Sequence, residues 1–279
     1  MSSKPTVCLT FDFDAISLWM ARNMTTPGPV SRGEFGAHAI PRILALLRRH
    51  DVTSTFFIPG HTIESYPRKT SMVVEAGHEI AAHGYAHEPV STLSEAEERD
   101  VLGRSVSLIQ SLTGTPPLGY RTPSFDFTPH TVRLLEEAGF EYDSSLMGTD
   151  TVPYFARTND RCPSDGPFEF GPASSILELP VSWTLDDYPH LEFVRTNSFV
   201  MPGLQDPASM FDMFLRDVQF MLENDANRVC TVTLHPQVIG RGARMIALER
   251  FIEAVLDLGV SFSTCADAAR SARARLGTM

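Results

Sequence analysis

The sequence predicts an α/β fold on a mainly parallel sheet, either doubly wound or closed into a barrel. Three observations predict it. Short β-rich runs alternate with helical patterns along nearly the whole chain. The composition is that of a globular protein with a large core: 279 residues, 43% hydrophobic, with 18 Gly, 20 Pro and 4 Cys, which excludes disordered, collagenous and disulfide-scaffold classes. No internal repeat or low-complexity linker breaks the alternation. A prior of about 150 residues per domain would suggest two units, but α/β barrels commonly use roughly 200–250 residues as one. Residues 1–279 are therefore read as a single domain.

The elements follow in order. Residues 7–11 form the first strand, and Ile40, Ile43, Leu44 and Leu47 make a helical stripe after it. Strands are expected at 53–58 and 79–82. Ser94-x-x-Glu97 is a capping box opening a helix that runs to Gly114. A short strand at 118–121 precedes Thr128-Pro129, and a strand at 176–181 precedes Asp206-Pro207; each pair sets a cap residue before proline at a helix start. The apolar run 229–234 reads as a strand buried in the sheet. An amphipathic helix over 243–258 ends at Gly259, a last strand covers 260–263, and a basic segment follows Thr264. The stretches 16–36, 147–175 and 186–205 read as irregular. They exceed the usual loop length of about 4–6 residues, as binding lids do.

Charge narrows the partners. Lys+Arg 23 against Asp+Glu 34 gives −11, which disfavours nucleic acid and anionic membranes and suits a neutral or cationic small molecule. No run approaches the ~18 apolar residues of a membrane span. Residues 1–10 show no apolar secretory core, so the cytoplasm is the expected compartment, and Cys8, Cys162, Cys230 and Cys265 are expected as free thiols. No Gly-x-Gly-x-x-Gly or Gly-x-x-x-x-Gly-Lys-Ser/Thr follows a strand, which removes the main support for dinucleotides and nucleoside triphosphates.

The residues able to carry chemistry fall at strand ends. In Thr10-Phe11-Asp12-Phe13-Asp14, alternation turns both aspartates to one face and both phenylalanines to the other. Alone, this is also the pattern of a solvated strand end with capping aspartates. His83-Gly84-Tyr85-Ala86-His87 has metal-ligand spacing if the segment turns helically, and a carboxylate from another strand would complete a His/His/Asp site with open positions. Gly119-Tyr120-Arg121-Thr122-Pro123 puts an arginine at a strand end, and Leu234-His235-Pro236 does the same for a histidine. Such an arginine keeps a neighbouring carboxylate ionised and oriented, and such a histidine can protonate a leaving amine. Trp183-Thr184-Leu185-Asp186-Asp187 adds an aromatic wall and two more carboxylates.

In combination and in order, these five segments resemble the polysaccharide deacetylase superfamily, carbohydrate esterase family four, and the resemblance covers most of the chain. It implies a distorted (β/α) barrel with mainly parallel strands and one divalent metal ion, zinc being expected, held by Asp14, His83 and His87. It further implies Asp12 as general base, Arg121 orienting Asp12, and His235 as general acid; of the two aspartates that could tune His235, Asp187 is preferred to Asp186. Phe13 between the paired aspartates, Ala15 in place of glycine and Ser124 in place of tyrosine depart from the usual motifs. With Phe56-Phe57-Ile58-Pro59-Gly60, Asp143-Ser144-Ser145 and the run from His235 to Arg241, they look like the intracellular branch. That branch is similar to allantoinase-type and cyclic imide hydrolases and to a peptidoglycan deacetylase group, and implies a homotetramer with a covered groove.

The expected activity is metal-dependent hydrolysis of a non-peptide carbon–nitrogen bond in a small cyclic imide or ureide, inside a closed pocket walled by Phe13, Phe125 and Trp183. The alternatives are deacetylation of N-acetylated sugars or peptidoglycan, and a catalytically silent barrel that binds a small ligand.

Overall fold

A computed structural model describes residues 5–196, 198–224 and 228–277. The N-terminal half runs β1 (Thr6–Asp12), α1 (Ser17–Ala21), α2 (Pro27–Arg49), β2 (Thr55–Ile58), α3 (Gly60–Ser65), α4 (Pro67–Glu75), β3 (Glu79–Ala82) and α5 (Glu95–Thr113). The middle contains β4 (Gly119–Tyr120), α6 (Thr131–Ala138), β5 (Tyr142–Asp143), β6 (Tyr154–Arg157), β7 (Ala173–Glu178), α7 (Asp187–Leu191), β8 (Val194–Arg195) and β9 (Val200–Met201). The C-terminal part adds α8 (Pro207–Asn224), β10 (Val229–Leu234), α9 (Pro236–Ile239), α10 (Gly242–Asp257), β11 (Ser261–Phe262) and α11 (Cys265–Leu276).

The main sheet has the order β10-β1-β2-β3-β4-β5-β7-β6, with β11 added beside β1; its pairings are parallel except β6 with β7. The chain leaving β7 returns to β10 at one parallel bridge, Asp186 beside Thr233, so the sheet curls into a distorted (β/α) barrel. No helix among the described residues is long and apolar enough to cross a membrane.

Alternation along β1 explains why the barrel has two different sides. Val7, Leu9, Phe11 and Phe13 pack outward with Ile40, Ile43 and Leu47 of α2 in the main core. Cys8 belongs to a second cluster with Phe57, Ala81, Tyr142 and the α11 residues Cys265, Ala268 and Ala269. α11 closes the N-terminal ends of the strands: Cys265 N donates to Thr55 Oγ1 at 2.8 Å and Ala266 N to the Glu79 carboxylate at 3.0 Å. Only the C-terminal ends are left open for chemistry.

Three stretches read as irregular are partly ordered. Residues 16–36 hold α1 and the start of α2, whose glycines look like breakers but serve packing: a Cβ on Gly33 would lie 2.7 Å from the Ala15 carbonyl oxygen. Residues 147–175 carry β6, and 186–205 carry α7, β8 and β9. The helix expected from Thr128-Pro129 begins at Thr131, because Thr128 and His130 form a turn closed by bonds from Thr128 N to Thr131 Oγ1 and from His130 N to Thr128 Oγ1, 3.0 Å each.

Candidate active site

Asp12 ends β1 and Asp14 lies just beyond it, both buried and both on the face of β1 that carries Thr10. Ala15 has φ 51°, and this left-handed residue turns the chain sharply away after the second aspartate. Asp14 Oδ1 lies 3.4 Å from His83 Nε2, and Asp14 Oδ2 lies 3.9 Å from His87 Nε2.

The two histidines do not converge through a helical turn. The segment after β3 is a loop in which Gly84 has φ 65° and His87 φ 58°. Glu88 supplies the missing force: its carboxylate accepts from Tyr85 N at 3.0 Å and Ala86 N at 2.8 Å, folding the loop so that the rings sit 5.3 Å apart at 81°. His83 Nδ1 is 2.8 Å from the Arg121 carbonyl oxygen, which can only accept, so Nδ1 carries the proton and Nε2 presents its lone pair toward Asp14.

Asp14 Oδ1 and His83 Nε2 are both buried polar atoms without a hydrogen-bond partner, which is costly unless a ligand takes their lone pairs. Asp14, His83 and His87 offer donor atoms within 4.8 Å of one another. Two imidazole nitrogens and one carboxylate fit a divalent metal and leave coordination positions open. Gln237, which lies in the run from His235 to Arg241 but is assigned no role from sequence, donates from Nε2 to Asp14 Oδ2 at 3.3 Å and so orients the carboxylate.

Arg121 is fully buried and four of its five N–H donors have partners. Nη1 donates to Asp12 Oδ1 at 2.7 Å and Thr10 Oγ1 at 2.8 Å, while Nε and Nη2 donate to the carbonyl and hydroxyl of Ser144, each at 2.9 Å. Phe57 covers the guanidinium at 4.0 Å.

Opposite this pair stands His235. Its Nδ1 is 2.8 Å from Asp187 Oδ1, and its backbone N–H meets both oxygens of that carboxylate at 3.1 Å. Asp186 Oδ1 is farther, at 3.6 Å, and accepts from Tyr188 N at 2.8 Å to cap α7. With its Nδ1 proton held by Asp187, His235 directs Nε2 to within 3.8 Å of Asp14 Oδ2.

Burial and charge compete across these groups. Burial disfavours the His235 imidazolium, but Asp186, Asp187 and Asp14 outweigh it and raise the group to about 10. Burial dominates at His87 and lowers it to about 4, leaving a neutral imidazole suited to ligation. At Asp14 burial opposes ionisation, yet His87, His83 and His235 together hold the carboxyl below the usual carboxylate range. Burial raises Asp186 to about 7 against the attraction of His235.

Asp12, His87, Asp186 and His235 floor a recess of about 40 Å³ walled by Leu18, Arg22, Ser124, Phe125, Trp183 and Tyr188. Phe125 and Trp183 pack with centroids 4.7 Å apart, and Trp183 is 45% exposed at the rim. Ser124 and Phe125 have φ 57° and 56°, a strained pair that turns Phe125 toward the mouth. Phe13 does not line the recess: the alternation that aims the aspartates inward sends its ring into the main core, where it is fully buried. Tyr188 stands in the wall instead, its ring 5.2 Å from His235. A larger groove of about 610 Å³ between α2 and α4, lined by Arg48, Asp51, Glu75 and His78 among others, lies away from this constellation.

Comparison with known proteins agrees with the geometry. The family model described as Polysaccharide deacetylase matches residues 2–142. A peptidoglycan deacetylase of Helicobacter pylori is 34% identical over 91% of this chain and 90% of its own length. The crystal structure of a putative polysaccharide deacetylase from Mycobacterium smegmatis superimposes with a TM-score of 0.84 at 33% identity, covering 100% of this chain and 93% of that one. The Puue allantoinase shares the fold, with a TM-score of 0.78 at 23% identity over 100% of this chain and 93% of its own.

Proposed function

The chain belongs to the polysaccharide deacetylase family, hydrolases of non-peptide amide bonds, and we propose that its own reaction is metal-dependent removal of an acetyl group from an N-acetylated amino sugar of the peptidoglycan type. One observation carries this reading: an oriented carboxylate and an oriented imidazole face each other across a ready-made set of metal donors, Asp12 with Arg121 on one side and His235 with Asp187 on the other.

The metal expected at Asp14, His83 and His87 is zinc, which supplies Lewis acidity to an amide carbonyl and to water. Asp12, held by Arg121, takes the proton from the attacking water. Asp186 and Asp187 favour the charged form of His235, which delivers the Nε2 proton to the departing nitrogen. Asp187 keeps the ring in the orientation this transfer requires. Phe125, Trp183 and Tyr188 exclude bulk water and bound the amide plane. Retention of both base and acid argues against a silent ligand-binding barrel.

A second reading, ring opening of a small cyclic imide or ureide, is favoured by the tightness of the 40 Å³ recess between aromatic walls. The likeness to a peptidoglycan deacetylase over most of both chains supports the acetyl substrate. In either case residues 1–279 act as one catalytic domain, and the family resemblance supports a homotetramer, which light scattering tests.

The experiment is a hydrolysis screen of the metal-loaded protein against N-acetylated sugars, peptidoglycan fragments, hydantoins, succinimide and allantoin. Acetate release from the sugars supports the first reading. Ring opening without acetate release transfers the site to the second, and no turnover of any amide by fully metallated protein overturns both.

A further inference from the structure

Arg22 follows α1 and, among the described residues, is the only arginine or lysine lining the recess. Its Nη1 donates to Tyr188 Oη at 2.6 Å, and its guanidinium carbon lies 5.2 Å from the Tyr188 ring centroid. No carboxylate pairs with it among the described residues, the residue as a whole is exposed, and the Tyr188 hydroxyl takes one of its five N–H donors. Its neighbours are committed elsewhere. Arg32 is bound to Glu192, and Arg244 donates to the Val238 and Leu191 carbonyls at 2.8 and 2.7 Å. Arg241 stacks on Phe35 at 3.5 Å.

Arg22, Arg241 and Arg244 all lie within electrostatic reach of Arg32. Burial, followed by Arg241, Arg22 and Arg244, lowers the Arg32 guanidinium despite the opposing field of Tyr188. The chain as a whole carries −11, and Arg22 is the cationic side chain that shares the recess with the carboxylates of Asp12 and Asp186. An open guanidinium held in place by one tyrosine, beside an amide-hydrolysing centre, is suited to bidentate recognition of a carboxylate.

We propose that Arg22 is a specificity-determining residue, and that the substrate carries a carboxylate a few bonds from the scissile amide. This rests on the amide-hydrolase reading of the same recess. Two substrate sources share the chemistry, a carboxylated N-acetyl amino sugar and a carboxylated cyclic imide.

The test compares each acid with its methyl ester on the metal-loaded chain: N-acetylmuramic acid for the first source and hydantoin-5-acetic acid for the second. The readout is the ratio of kcat/KM for acid over ester, which cancels general damage to the enzyme. The wild type favours the acid of one pair, and Arg22→Gln lowers that ratio by about 10- to 100-fold, the range for one charge-assisted contact. Arg22→Lys, which keeps the charge but not the fork, recovers part of it. An ester preference in the wild type, or a ratio unmoved by Arg22→Gln, overturns the proposal.

Calorimetry separates this from the hydrolase reading. Asp12→Asn protein binds the acid, and adding Arg22→Gln weakens binding about 10- to 100-fold. Binding that depends on Arg22 without turnover of any amide keeps the anion subsite and removes the hydrolase reading. Turnover with equal ratios and equal binding does the reverse, and absence of acid binding in both proteins overturns the subsite.

Discussion

Arg121→Met tests whether the guanidinium is the electrostatic partner that lets Asp12 stay buried. Asp12 is 3% exposed and Arg121 fully buried, with 2.7 Å between Nη1 and Oδ1. Methionine fills much of the volume but leaves a buried carboxylate without its cation, a change that costs about 3–5 kcal/mol. The bonds to Thr10 and Ser144 disappear in the same step. Against a total stability of about 5–15 kcal/mol this is a large loss. At roughly 2–4 °C per kcal/mol for a chain of this size, Tm falls by about 6–20 °C. Unfolding is measured with chelator present, so that metal binding does not contribute. Asp12→Asn added to Arg121→Met removes the stranded charge, and the pair shows a coupling of about 2 kcal/mol in a double-mutant cycle. A loss below about 1 kcal/mol for Arg121→Met, or strictly additive losses, would refute the reasoning and reduce Arg121 to a packing residue.

Three further outcomes follow from the geometry. Replacing His83 and His87 together with alanine abolishes stoichiometric metal binding while the far-ultraviolet dichroism of the barrel persists; unchanged metal content would move the site elsewhere. Asp12→Asn and His235→Ala retain metal but lower kcat by about 10²–10⁴-fold each, whereas wild-type rates in either variant would strip that residue of its proton-transfer role. The third outcome concerns Asp143, raised by burial to about 6 beside Glu178, which is raised further. Its unfolded value is near 4, so the folded state holds the proton more tightly, and the contribution is fully present below about pH 4 and lost as pH rises through about 6. Asp143→Asn flattens this part of the stability profile, and parallel profiles for variant and wild type would contradict the assignment.

Strands 79–82 and 229–234 were legible to the residue, because their runs of apolar residues have no other use than burial in a parallel sheet. Strands β5 and β6 were not: the first has two residues, and the second pairs antiparallel inside a stretch rich in proline and glycine. Residues 27–36 looked like loop because Gly28, Gly33 and Gly36 suppress helix propensity, a signal that close packing overrides. The four-residue histidine spacing marked two residues whose rings do come together, but through a different backbone, since Glu88 and two left-handed residues do what a helical turn was expected to do. Placing Phe13 in the pocket contradicted the alternation that had put Asp12 and Asp14 on one face. Tyr188 and Gln237 carry no spacing signal of their own, although Tyr188 directly follows the Trp183–Asp187 segment and Gln237 lies within the run from His235 to Arg241.

The adjacent aspartates show how one short segment separates structural from chemical roles. Asp186 makes the bridge that ties the returning chain to β10, and its carboxylate caps α7 through Tyr188 N. That bond starts the helix that carries Tyr188 into the wall of the recess, where its hydroxyl holds Arg22. Asp187, one residue later and therefore turned the other way, reaches both the ring and the backbone of His235. Asp186, aimed at the cap, stays 3.6 Å from His235 Nδ1, so the close contact at 2.8 Å falls to Asp187, and the order of the two roles along the chain follows from the bridge. Shifting the segment by one position would put the cap where the histidine partner belongs and withdraw Tyr188 from the mouth. The register at Asp186 and Thr233 thus sets both the orientation of His235 and the position of the wall that holds Arg22.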